Sequence, residues 1–191
     1  MAIRKIATLG NPILRQVARH VTREELLSPD TQRFIDDLVE TMHDANGAGL
    51  AATQIYEPIQ ICAIEVKDNP RYPYKPNYPL TVLVNPKLSA TIEETFMNFE
   101  GCLSVPNFRG EVPRHLGVRV HAMDRHGSDL DFEVKGLTAG TFQHEVDHLY
   151  GKLFVDRVVD TKTLCTWQDF ERYFQKDFVE RAKALVAKWG S

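Results

Sequence analysis

A chain of 191 residues with 43% hydrophobic and 26% charged residues has an ordinary globular composition, and it can bury a core without disulfide bonds. The formal net charge of -3 excludes a general electrostatic attraction to nucleic acid, so no direct DNA binding is expected. No apolar run approaches the roughly 20 residues of a membrane-spanning helix, so no membrane association is expected.

The N-terminal segment and the cysteines indicate a cytoplasmic location. Polar and turn residues interrupt the N-terminal segment before the apolar core of a signal peptide develops. Three cysteines at unrelated spacings, Cys62, Cys102 and Cys165, argue against a disulfide framework. Cys62 lies in the apolar run Ile61–Ile64 and is interpreted as a small buried hydrophobe.

The first helix is predicted from Asp30 to about Asp44. Phe34, Leu38 and Met42 form an apolar stripe at helical spacing along it, which is typical of a core-facing helix. The glycine-rich stretch 47–52 follows and ends the helical pattern.

Short segments rich in Ile, Val and Leu are predicted as strands: Gln60–Val66, Thr81–Asn85 and Gly117–Ala122. Between the first two, Asp68–Pro79 contains four prolines and three tyrosines, which is typical of a surface loop. Two placements are open for this loop, along a substrate cleft or over an edge of the sheet.

Two further helices are predicted in the C-terminal part. One runs from near Thr138 to Tyr150, where Gly151 provides a stop. The other runs from about residue 166 to 188 and is amphipathic. The pattern predicts one α+β domain over residues 1–191. Short, mostly antiparallel strands pack around the central helix that carries His-Glu-x-x-His, and a C-terminal helix completes the domain.

The strongest chemical signal is the segment Gln143–His148, Q-H-E-V-D-H. On a helix, His144 and His148 project from one face and can hold one metal ion, with Glu145 placed to reach a water on that ion. A chance match to His-Glu-x-x-His in this composition has odds of roughly one in fifty. The motif favours a metallohydrolase, and the alternative is a helix with two partly exposed histidines and a solvated glutamate.

A catalytic metal site of this kind needs a third protein ligand. Phe154 stands where one branch of zinc proteases has a third histidine, and nothing singles out Asp156 or Asp160. Cys102 is the better candidate, because a thiolate binds zinc or ferrous iron strongly and Gly101 before it permits close backbone approach. The alternative is a nucleophilic cysteine paired with a histidine, which does not require His-Glu-x-x-His.

Three segments together resemble the peptide deformylase family: Gly47–Gln54 (G-A-G-L-A-A-T-Q), Glu100–Ser104 (E-G-C-L-S) and Gln143–His148. They match the three signatures of that family, in the family's order. The resemblance extends to Leu9–Arg15 and Gly151–Arg157 and covers roughly residues 4 to 160.

This resemblance implies a metal-dependent hydrolase that removes the formyl group from the N-terminal formylmethionine of newly synthesised proteins and releases formate. Cys102, His144 and His148 would hold one divalent metal ion, with Glu145 as the general base. The resemblance implies ferrous iron as the metal in the cell, with zinc, nickel or cobalt able to replace it in purified protein.

The resemblance also assigns roles around the substrate. The side-chain amide of Gln54 and the backbone N–H of Leu103 would stabilise the charge that develops on the formyl oxygen. Gly47 and Gly49, with Leu50 after them, would let the backbone approach the substrate and leave little room for a larger acyl group.

Two arginines and one helix face complete the expected site. Arg109 would contact the peptide backbone of the substrate, and Arg114 would make a structural ion pair. A pocket for the methionine side chain is expected near Leu137, Gly140 and Thr141. Many family members carry larger aliphatic residues where Gly140 and Thr141 stand.

The expected partners are the N-formylmethionyl peptides of nascent chains, and a monomer is expected. The C-terminal helix has two interpretations, simple packing on the protein body or transient contact with the ribosome. Its basic residues offer positive charge that acidic neighbours dilute: Lys176, Arg181, Lys183 and Lys188 against Asp177 and Glu180.

Two other classes of protein are rivals to this interpretation. A zincin-like endopeptidase shares His-Glu-x-x-His, but the chain has no recognisable downstream ligand and has the Cys102 segment instead. A non-enzymatic domain stabilised by a metal would need four protein ligands. No fourth ligand is evident, because Cys62 and Cys165 lie outside any matching motif.

Overall fold

The computed structural model describes residues 2–69 and 73–190. Its helices are α1 (Arg23–Leu27), α2 (Pro29–Asp44), α3 (Gly136–Leu149), α4 (Trp167–Asp169) and α5 (Gln175–Trp189). Its strands are β1 (Gly49–Ala51), β2 (Ile61–Val66), β3 (Tyr78–Cys102), β4 (Val105–Met123), β5 (Asp129–Lys135) and β6 (Cys165–Thr166).

The strands form one antiparallel sheet in the order β1-β2-β3-β4-β5, with β6 paired to β4. Strands β3 and β4 form a long hairpin, and Cys102 pairs with Val105 across the turn Leu103–Ser104. The tip of the hairpin therefore presents Cys102 at the end of a strand whose register is set by many backbone hydrogen bonds.

Helix α3 lies on this sheet and is buried along most of its length. Its residues Ala139, Phe142 and Leu149 form one hydrophobic cluster with Val118 and Val120 of β4. A buried helix packed on an antiparallel sheet confirms the predicted α+β class. Among residues 2–69 and 73–190, no helix is both long and apolar enough to cross a membrane.

The predicted stripe on α2 is confirmed as core. Phe34, Leu38 and Met42 are buried in a second cluster with Leu50 of β1 and Ile61 of β2. This cluster packs α2 and β2 against the glycine-rich strand β1. The two elements therefore hold in place the segment that resembles the first family signature.

The strands that contain Thr81–Asn85 and Gly117–Ala122 are much longer than predicted. The outer part of β3, including Glu93 and Glu94, is largely exposed and carries no alternation of apolar and polar residues. The hairpin is held there by backbone pairing with β4, so hydrophobic periodicity gives no signal of the strand.

Strand β5 and helix α1 were not predicted. Strand β5 carries a regular alternation in which Leu130, Phe132 and Val134 pack on the α3 cluster, and this signal was available in the sequence. Helix α1 has only five residues and is capped by Thr22, whose hydroxyl accepts from the Glu25 N–H. Five residues are too few to show the periodic pattern of apolar residues by which a helix is predicted.

The C-terminal helix is present but interrupted. It begins at Trp167, and a wider π-helical turn at Phe170–Phe174 separates α4 from α5. Such a turn changes the helical register, and both Phe170 and Phe178 contact Phe99 of β3, with ring centroids at 5.0 and 5.8 Å. This segment is therefore packed against the strand that leads to Cys102.

The packing of the C-terminal helix can be tested by truncating one ring. Phe178 is 2% exposed, so Phe178→Ala should lower the free energy of unfolding by about 3–5 kcal/mol through the cavity it leaves. Tyr173→Ala removes a ring that is 60% exposed and serves as the matched control. Equal urea midpoints for the two variants would show that the helix contributes little to the core.

Candidate metal centre

The structure brings together the three residues expected to bind a metal. Donor atoms of Cys102, His144 and His148 all lie within 4.8 Å of one another. The Sγ of Cys102 is 3.3 Å from Nε2 of His148, and the two imidazole rings are nearly perpendicular at 4.9 Å between centroids. A tetrahedral zinc or iron centre separates such donors by about 3.5 Å, so the residues fit one ion.

Burial excludes the alternative of a solvated helix face. His148 is 1% exposed, and its backbone carbonyl accepts a hydrogen bond from the Thr53 hydroxyl at 3.2 Å. The side chain of His144 is 11% exposed. Two histidines this deeply buried on one helix need polar partners, and Cys102 provides one.

The orientation of His144 is set by a buried ion network. Its Nδ1 lies 2.9 Å from a carboxylate oxygen of Glu100. Arg114 donates to Glu100 at 2.8 Å and to Asp147 at 2.6 Å, and Arg157 also donates to Asp147. A carboxylate on Nδ1 leaves Nε2 to face the metal. The predicted structural ion pair of Arg114 is confirmed.

Burial and neighbouring charges shift the pKa values of Glu100 and His144 in opposite directions. Burial acts to raise the pKa of Glu100, but the Arg114 guanidinium holds it well below its usual range. Burial acts to lower the pKa of His144, while hydrogen bonds to Cys102 and Glu100 hold it well above its usual range. Burial lowers the pKa of His148 well below its usual range, which keeps its ring neutral as a metal ligand requires.

Glu145 lies in a tight, buried position beside Cys102, His144 and His148. Burial raises the pKa of Glu145 to about 7. Its Oε2 is buried and has no hydrogen-bond partner among the residues that the structure describes. A Cβ placed on Gly49 would lie 2.5 Å from the Glu145 carboxyl group, so a side chain at residue 49 would displace it. A lone carboxylate oxygen facing a cavity suits a group that binds water.

Gln54 is held with its amide N–H groups toward the cysteine. Its Oε1 accepts from the Ala51 N–H at 2.8 Å, and its Nε2 donates to the Ser104 hydroxyl at 3.0 Å and lies 3.5 Å from Cys102 Sγ. Leu103 lies in the turn between Cys102 and Ser104, and it lines the same cavity as Gln54. The cavity therefore carries hydrogen-bond donors on one side and Glu145 on the other.

Comparison with known proteins agrees with this arrangement. The sequence profile of the polypeptide deformylase family matches residues 3–164. The chain belongs to this family. It is 39% identical to peptide deformylase 2 of Nostoc sp., over 90% of this chain and 95% of that protein.

Solved structures show the same likeness. A class I type b peptide deformylase from Acinetobacter baumannii, solved with Met-Ala-Ser bound, has a TM-score of 0.79 and 37% identity, covering 82% of this chain and 99% of that chain. A deformylase from Legionella pneumophila has a TM-score of 0.73 and 34% identity, covering 97% and 98%. Membership makes this chain a metal-dependent hydrolase that removes the formyl group from an N-terminal methionine, which excludes both rival classes.

The other expected substrate-binding residues occupy different surroundings. Gly47 lines the cavity, and a Cβ placed on it would lie 3.1 Å from Leu103. The side chain of Leu50 is fully buried in the α2 cluster, on the strand face opposite Gly49. Arg109 also lines the cavity but is 1% exposed, and its guanidinium lies 4.1 Å from the ring centroid of Trp167.

Thr141 lines the cavity, while Leu137 lines a smaller neighbouring one. The described residues of segment 68–77 form a loop, as predicted, whereas Tyr78 and Pro79 already belong to β3. Of the two open placements the structure favours the one along the cavity, because Tyr74 is buried and Lys75 lines both cavities. The loop packs inward because Tyr74 meets Phe178 of α5 edge to face at 5.2 Å. Residues 70–72 of this loop lie outside the described part of the chain.

Sequence reasoning missed two groups of residues in the site. It did not assign a separate role to Glu100, although this residue opens the segment E-G-C-L-S. It also missed Lys75 and Asn98, which line the cavity from a loop and from β3. No periodicity or motif marks those two positions, because only the folded hairpin brings them to α3.

The role of Glu100 can be tested with an isosteric change. Glu100→Gln should weaken metal binding by about 10–100-fold, because His144 loses the carboxylate that orients it. Glu111→Gln breaks the more exposed pair with Arg181 and is the control. Affinity would be measured by chelator competition on protein whose circular dichroism shows it folded. Unchanged affinity in Glu100→Gln would contradict this role.

Proposed function

We propose that Cys102, His144 and His148 hold the catalytic divalent metal ion and that Glu145 is the general base of deformylation. The observation that carries this proposal is the convergence of the three donor atoms within 4.8 Å, beside the buried Glu145 carboxylate. Three protein ligands leave one coordination position for water or substrate, as catalytic metal sites require.

When bound, such an ion would lower the pKa of the attacking water from about 15.7 toward 7. Glu145 takes a proton from this water as it attacks the formyl carbon, and then gives the proton to the departing amine nitrogen. The products are formate and a free N-terminal amine. The surroundings of Glu145 support this role, because a pKa near 7 suits both taking and giving a proton.

Gln54 and Leu103 act on the formyl oxygen. The Gln54 amide and the Leu103 backbone N–H donate to this oxygen as negative charge develops on it. The support is that Gln54 Oε1 is already engaged by the Ala51 N–H, which turns Nε2 toward the Cys102 side of the cavity. Gly49 limits the acyl group to formyl, since its backbone lies against Glu145.

The cavity receives the N-terminus of a nascent chain. A peptide bound in the related Acinetobacter baumannii deformylase, Met-Ala-Ser, supports this assignment. The backbone at Gly47 and Leu50 lies close to the peptide, and Arg109 contacts the peptide backbone of the substrate. The first side chain enters beside Thr141 and Leu137, one to two turns before His144 on α3.

Ferrous iron is the metal that we propose for the cell. A thiolate with two imidazoles binds ferrous iron and zinc alike, and the affinity order alone favours zinc. The family resemblance supports iron, with zinc, nickel or cobalt as substitutes in purified protein.

The proposal extends to the whole chain as one monomeric, cytoplasmic catalytic domain, residues 1–191. The packing of α4 and α5 on β3 supports a single unit, and three free cysteines suit a reducing compartment. Neither DNA nor membrane is a partner. For a transient ribosome contact, Lys176 and Lys183 are the better candidates, because Arg181 pairs with Glu111.

The reaction can be tested with formyl-Met-Ala-Ser and protein loaded anaerobically with ferrous iron. We expect formate release by the wild type, and a fall of about 100–10,000-fold in kcat for Glu145→Gln with the metal still bound. Metal content measured beside activity separates loss of the base from loss of the ion. No formate from folded, metal-loaded wild type would refute deformylation.

The Gln54 amide has its own test. Gln54→Leu keeps the volume of the side chain but removes its donor, so kcat should fall by about 100–1,000-fold. The matched control is Gln60→Leu, which removes another buried amide whose bond goes to the Ala18 carbonyl at 3.1 Å. Similar kcat values for the two variants would mean that Gln54 has only a structural role.

A further inference from the structure

The cavity beside the α3 turn that precedes His144 is lined by an unusual set of side chains. Gly140 and Thr141 are small, but the space beside them is filled from the sheet. A Cβ placed on Gly140 would lie 3.2 Å from Phe96 Cζ and 3.3 Å from Asn98 Nδ2. Asn98 is buried, and its amide nitrogen donates to Glu100 at 3.1 Å. The space that an aliphatic residue could occupy therefore holds an amide.

Lys75 completes this wall from the loop that precedes β3. Its Nζ donates to the Thr141 hydroxyl at 2.9 Å, and its side chain lines the same cavity as Gly49 and Glu145. Its neighbour Tyr74 is buried against Phe178, which holds this part of the loop in place. The ammonium group is thus held at the wall of the cavity, where it is partly buried.

This cavity is poorly suited to a purely apolar side chain. An ammonium group has three N–H donors and no acceptor, and a thioether sulfur is only a weak acceptor. Covering such a group with hydrocarbon costs free energy unless a hydrogen bond replaces the lost water. Burial lowers the pKa of Lys75 to about 8, so the group still carries its charge at neutral pH.

We propose that Lys75 is a specificity-determining residue, and that the cavity favours N-formyl peptides whose first side chain has the length of methionine and ends in an oxygen acceptor. Methionine sulfoxide and glutamine are side chains of this class. The inference rests on the proposed function, in which the first side chain enters beside Thr141. Formylmethionine remains a substrate, because its flexible chain can pass the ammonium group with a weak contact.

The test compares formyl-Xaa-Ala-Ser peptides in which Xaa is methionine sulfoxide, glutamine, methionine or norleucine. For the wild type, kcat/KM with methionine sulfoxide should exceed that with norleucine by about 10–100-fold, because a site with a hydrogen-bonding group discriminates against a substrate without one. Lys75→Met should reduce this ratio at least tenfold and raise the norleucine value. Lys75→Arg should keep most of the preference.

Lys87→Met is the matched control, because Lys87 is exposed on β3 away from the cavity. The ratio should be unchanged in this variant. A ratio that is equally unchanged in folded, metal-loaded Lys75→Met would overturn the proposal. Formate release from none of the peptides by the wild type would instead refute deformylation itself, so the two failures are distinguishable.

A second measurement needs no variant. The product peptides Met(O)-Ala-Ser and Nle-Ala-Ser would be compared as competitive inhibitors of the wild type with formyl-Met-Ala-Ser as substrate. The sulfoxide peptide should bind about tenfold more tightly if Lys75 donates to its oxygen. Equal inhibition constants would contradict the inference even if Lys75→Met cannot be purified.

Discussion

The interaction on which the site depends is the buried ion network of Glu100, Arg114 and Asp147. It joins β3, β4 and α3 at one point, because each element contributes one of its three charges. Removing one partner from such a network leaves an uncompensated buried charge and costs about 3–5 kcal/mol. The network therefore fixes the position of α3 on the hairpin, and through Glu100 it also fixes the ring of His144.

This arrangement explains how a short motif becomes a site. Two of the proposed metal ligands lie on successive turns of α3, and the third lies at the end of β3, where the turn to β4 leaves Cys102 beside the helix. The glycine-rich strand β1 supplies the opposite wall, where Gly49 leaves room for the Glu145 carboxylate. His144, His148 and Glu145 lie on α3 and Cys102 ends β3, so the positions of these groups are set by the packing of regular elements.

The sequence predicted best what is encoded over a few residues. The spacing of His144 and His148 identifies a helix face, and the apolar stripe of α2 identifies a core, because both signals repeat within one element. The full length of β3 could not be predicted, since its outer part is held by pairing with β4. The positions of Lys75 and Asn98 depend on contacts between distant segments, which local patterns do not contain.

Tyr74 and Phe99 pack against Phe170 and Phe178, which lie close to the C-terminus. These contacts therefore depend on residues that are among the last to be synthesised. All three proposed metal ligands have been translated by residue 148, yet the hydrophobic cluster around Phe99 needs rings from residues 170 and 178. Tyr74, the neighbour of Lys75, can therefore make its contact with Phe178 only once residue 178 has been translated. In the course of translation, the proposed metal ligands therefore precede the aromatic rings against which the loop of Lys75 packs.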